Sequence, residues 1–81
     1  MYLLTHEWNE GRNVEPHFPL YHITCYGKVT EERKDDIIEQ MEKWSQYDYC
    51  TYDSYVTEEE YNERIEFFRS KGAEITFSNP N

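Results

Sequence analysis

The chain has 81 residues, 17 acidic against 8 basic, and a formal net charge of −9 at pH 7. That length supports one hydrophobic core and no more, because two would each be too small to hold together. The charge argues against nucleic acid or an anionic membrane as the main ligand and favours a basic protein. Apolar residues make up only 37% of the chain, yet 17% is aromatic, so rings must supply the burial that Leu and Val do not. Two cysteines, Cys25 and Cys50, are too few for a secreted disulfide scaffold. No apolar run approaches the roughly 20 residues that span a bilayer. The opening Met1–Glu7 lacks the basic head and apolar stretch of a signal peptide, so a reducing cytoplasm is the expected compartment.

In chain order, alternation predicts a first strand over Tyr2–Trp8, with Tyr2, Leu4, His6 and Trp8 on one face. Asn9–Pro19 carries Gly11, Pro16 and Pro19 and is expected to be a long irregular loop. Leu20–Tyr26 reads as a second strand. Thr30 is placed to cap a helix running to about Trp44, whose Ile37, Ile38, Met41 and Trp44 fall at helical spacing. A third strand, rich in Tyr and Thr, lies within Tyr47–Val56. The second helix starts at Thr57, where Glu60 completes a capping box, and Tyr61, Ile65 and Phe68 form its buried stripe. Gly72 is the expected left-handed stop. Ala73–Ser78 closes the fold as a strand, and residues 79–81 are a frayed end of a single domain spanning 1–81.

The two helices begin alike. Val29-Thr30-Glu31-Glu32 recurs as Val56-Thr57-Glu58-Glu59, an offset of 27 residues that also matches Ile38 with Ile65 and Met41 with Phe68. Two strand–helix–strand crossovers would make the last three strands parallel. The expected fold is therefore α+β: a mixed three- to four-stranded sheet in the order ββαβαβ, with both helices packed on one face. A short hairpin within Tyr47–Val56 would make it a ferredoxin-like variant.

Thirteen of the seventeen acids lie between Glu31 and Glu66, among only four basic residues. Glu31, Glu32, Asp35 and Asp36 open the first helix; Glu58, Glu59, Glu60 and Glu63 open the second. A carboxylate near a helix N-terminus gains about 0.3–1 kcal/mol from the macrodipole. That accounts for one or two acids per helix, but four repel each other. Brought side by side, the two starts would form one acidic rim able to accept arginine bonds as phosphates do. The residues expected to bind a partner are Glu31, Glu32, Asp35, Asp36, Asp53, Glu58, Glu59 and Glu63. Tyr49 and Tyr55, on one face of the third strand, are the expected apolar anchors.

No catalytic, cofactor-binding or metal-ligating set emerges. His22 and Cys25 are an odd number apart in a strand and so point to opposite faces. The three histidines, His6, His17 and His22, form no ligand motif with Cys25 and Cys50. Phe68-Arg69-Ser70-Lys71-Gly72-Ala73-Glu74-Ile75-Thr76 resembles the closing helix and strand of the barstar family of acidic ribonuclease inhibitors. The resemblance covers nine residues, carries no site residue across, and implies at most a related class of function.

These observations lead to a non-enzymatic acidic inhibitor that covers a basic, nucleic-acid-binding surface of a nuclease or nucleic-acid-guided effector. Phage anti-defence proteins (anti-CRISPR or anti-restriction factors) and nuclease immunity proteins are of this kind. The alternative is a small structural or regulatory subunit that pairs, with itself as a homodimer or with another protein, through a sheet edge or a Tyr-rich sheet face.

Overall fold

The computed structural model describes residues 1–9 and 21–78. The expected loop over Asn9–Pro19, from residue 10 onward, and the frayed end at 79–81 lie outside the described residues. The elements follow as β1 (Tyr2–Trp8), β2 (Tyr21–Lys28), α1 (Glu31–Trp44), β3 (Tyr49–Tyr55), α2 (Glu58–Ser70) and β4 (Glu74–Phe77). The fold is α+β, as expected, with a four-stranded mixed sheet ordered β3-β1-β2-β4. β1 runs antiparallel to both β2 and β3, and β2 pairs parallel with β4. Tyr49–Tyr55 is one unbroken strand, so the hairpin variant does not form.

Alternation places Tyr2, Leu4 and His6 of β1 beneath α2, where Tyr2 meets Tyr61 and the His6 ring meets Phe68 edge-on. The core joins Leu4, Ile23 and Cys25 of the sheet to Tyr61, Ile65 and Phe68 of α2. Leu3, Thr5 and Glu7 point the other way, toward α1, where Ser45 donates a hydrogen bond to Glu7 at 2.6 Å. The helices therefore lie on opposite faces, which corrects the expectation that both pack on one. The cause is topological. From β2 the chain steps over β1 to reach β3, then steps back past β1 and β2 to reach β4. Right-handed crossovers taken in opposite directions put their helices on opposite sides of the sheet.

β1 is accordingly a central strand. Leu3 and Leu4 are consecutive and both fully buried, the signature of a strand covered on two faces.

Local signals set the element ends. Thr30 and Thr57 each accept a bond from the backbone N–H three residues on, Arg33 and Glu60, at 3.2 Å. The Thr57 hydroxyl also donates to the Glu60 carboxylate. α2 stops in a Schellman turn: Gly72 N–H bonds to the Arg69 carbonyl and Ala73 N–H to the Phe68 carbonyl, with Gly72 at φ 84°. In β2 a register shift opposite Leu3 and Leu4 turns Gly27 to φ 71° and aims its N–H at the Tyr61 hydroxyl, 3.0 Å away.

Candidate protein-binding interface

β2 and β3 run in the same direction, so both helices start at the same end of the sheet. Glu31, Glu32, Asp35 and Asp36 on α1, and Glu58, Glu59, Glu60 and Glu63 on α2, are all exposed there. The sheet stands between the two groups. They form two acidic clusters flanking one end of a three-layer sandwich, not the continuous rim expected from helices on one face. Lys34 bridges back to Glu31 at 3.1 Å and tempers the α1 cluster. Between the clusters, the Met1 ammonium donates to the Val29 carbonyl at 3.3 Å and Val29 N–H bonds to the Met1 carbonyl at 2.8 Å.

Asp53 does not join either cluster. Its Oδ2 lies 2.7 Å from Nε2 of the buried His6, accepts the Tyr55 hydroxyl at 3.2 Å, and stands 4.0 Å from Nε of Arg64. These partners tie β1 and β3 to α2. Desolvation pushes the His6 pKa below its ordinary value, more than the Asp53 carboxylate raises it. Tyr55 is half-buried against the α2 core and is an internal ring, not a free anchor. Tyr49 keeps 44% exposure, stacks on Trp8, and sits at the far end of β3 from the acids. Both tyrosines lie on the α2 face because the right-handed return to β4 carries α2 over it. The Tyr-rich face is thus no bare surface.

The apolar group at the acidic end is not among the residues expected from the sequence. Val56 is 86% exposed, whereas its repeat mate Val29 is buried beneath the start of β1. β3 is an edge strand, and among the described residues nothing beyond it shelters Val56. The Val-Thr-Glu-Glu repeat could have flagged it, since one apolar residue precedes each acidic start.

On the opposite face, α1 buries no residue fully. Between it and β2 lies an open groove of about 530 Å³, lined by Glu7, Tyr26, Ile37, Met41, Trp44 and Ser78. His22 lies on this α1 face and bonds to Thr76 at 2.9 Å, while Cys25 lies under α2, so they point apart as expected. Cys50 pairs in register with Glu7 and shares the α1 face, so the sheet separates the two thiols. Burial pushes the pKa of both upward, which opposes thiolate formation. Among the described residues no group of three or more His, Cys, Asp or Glu is placed to hold a metal ion. No helix there is long and apolar enough to cross a membrane.

No protein-family model, curated protein or solved structure matches this chain.

Proposed function

We propose that the protein is a stoichiometric inhibitor acting in the cytoplasm, without catalytic activity of its own. Its acidic end would enter a basic, nucleic-acid-binding cleft of a nuclease or nucleic-acid-guided effector, as an anti-CRISPR, anti-restriction or immunity protein does. The observation that carries the reading is that both helix N-termini reach one end of the sheet with their carboxylates exposed. A cleft built to grip a duplex or heteroduplex carries cations on two opposing walls, and two acidic clusters flanking a thin sheet suit that arrangement. Val56, set between them, supplies an apolar contact where charges alone give on-rate more than affinity.

The contact set is Glu31, Glu32, Asp35 and Asp36 against one wall and Glu58, Glu59 and Glu63 against the other. Immobilised protein should retain a basic nucleic-acid enzyme from a host lysate at low salt, release it at high salt, and block its activity in the eluted complex. The quadruple variant Glu31→Lys, Glu32→Lys, Glu58→Lys, Glu59→Lys should lose that retention while keeping its circular-dichroism spectrum. Retention unchanged in the folded variant would remove the acidic end from the interface. The second reading, a self-associating subunit, no longer has a bare Tyr-rich face, because α2 covers it; what β3 leaves available is its edge.

A further inference from the structure

We propose that two copies of the chain pair through the outer edge of β3, antiparallel about a twofold axis at Tyr52, to make one continuous eight-stranded sheet. The two edges of the sheet differ. β4 is four residues long, and a short edge gives a partner strand little to pair with. β3 is seven residues long, in register with β1 throughout, and carries no Pro, Lys, Gly or bulge. Among the described residues nothing pairs with its outer side. Such an edge offers a row of backbone groups ready for another strand.

The strand is complementary to itself. In Tyr49-Cys50-Thr51-Tyr52-Asp53-Ser54-Tyr55, an axis at Tyr52 sets Tyr49 opposite Tyr55, Cys50 opposite Ser54 and Thr51 opposite Asp53. Ring meets ring, small meets small, and a hydroxyl donor meets a carboxylate; aromatic and hydrogen-bonding cross-strand pairs are favourable ones. An isologous interface requires this kind of matching.

A second observation agrees. Beside Tyr55, on the α2 face, a recess of about 310 Å³ opens between Tyr55, Glu60, Glu63, Arg64 and Phe67. The axis brings Tyr49 of the second copy to this point. Its ring would meet Phe67, whose face already carries the Arg64 guanidinium at 4.6 Å.

Charge selects a second copy over a basic strand. Asp53, the one charged residue of β3, is already engaged by His6 and Arg64. At the axis, Lys34 sits over the Tyr52 ring and is bridged to its own Glu31. Antiparallel pairing points the two acidic ends in opposite directions, which reduces but does not remove the repulsion between two chains of net charge −9. Dimerisation then strengthens as salt rises, opposite to binding through the acidic end.

The test combines mass and disulfide trapping. Light scattering across micromolar to millimolar concentrations should show the mass rising from 10.0 kDa toward twice that value, with the midpoint moving to lower concentration in high salt. Opposed strand residues have Cα atoms about 4.5–5.5 Å apart, within reach of a disulfide. In a Cys50→Ser background, Tyr52→Cys should therefore give a reducible dimer under mild oxidation. Ser54→Cys in the same background should not, since its two copies lie four residues out of register. Tyr52→Lys should hold the mass at 10.0 kDa with an unchanged circular-dichroism spectrum, while retaining any partner that binds the acidic end. A monomer at every concentration overturns the proposal; so does trapping at position 54 but not 52, or a Tyr52→Lys variant that still dimerises.

Discussion

His6 shows how one side chain links the two halves of the α2 face. Its ring lies edge-on to Phe68, and its Nε2 contacts Asp53, which Tyr55 and Arg64 also hold. Burial lowers its pKa in the folded state below the 6.5 of the unfolded chain, so the unfolded chain takes up the proton first as pH falls. The contribution of His6 is therefore complete above about pH 6.5 and is lost as pH drops through that value toward the folded one. Thermal melts of wild type should fall more steeply from about pH 7.5 to about pH 5.5 than melts of His6→Gln. Parallel curves would show that His6 does not titrate with unfolding.

Tyr61 carries a second residue-scale expectation. Its pKa is pushed up to about 12, chiefly by burial, and its hydroxyl accepts the Gly27 N–H that the bulge turns away from the ladder. Tyr61→Phe keeps the ring and strands that donor, for a loss of about 1–3 kcal/mol in denaturant unfolding. A loss near zero would mean that water reaches Gly27.

At the scale of elements, the two copies of the 27-residue repeat share their caps but pack unequally. Thr30 and Thr57 both cap, yet Ile38 is only half-buried where its mate Ile65 is buried, and α2 buries Tyr61, Ile65 and Phe68 while α1 buries nothing fully. Ile65→Ala should cost about 2–5 kcal/mol, the range for a buried aliphatic truncation. Ile38→Ala should cost no more than half as much, because that side chain is only partly buried. Equal losses would contradict the packing difference. Hydrogen exchange should likewise find α1 opening before α2.

Helix boundaries were legible because capping, Gly72 and the apolar stripes act within a few residues. The side of the sheet each helix takes was not, since it depends on strand order, which local periodicity does not encode. One clue existed: Leu3 and Leu4 are adjacent apolar residues in an otherwise alternating strand, and both needed cover.

For the whole molecule, net charge acts as a distributed repulsion that salt screens. Raising ionic strength from about 0.01 M to about 0.15 M shortens the Debye length from about 30 Å to about 8 Å and should raise the melting temperature. A flat or falling response would show that pairs such as Lys34–Glu31 already balance the acids.

The sequence by itself determined the elements, their order and the concentration of acid at both helix starts. These follow from composition, capping and periodicity along a contiguous stretch. Only the tertiary structure decided that those starts flank the sheet, that Asp53 and Tyr55 turn inward, that Val56 is bare, and that β3 lies at an edge. Each of these depends on which strands lie side by side, a relation between residues far apart in the chain that packing on both faces of β1 selects.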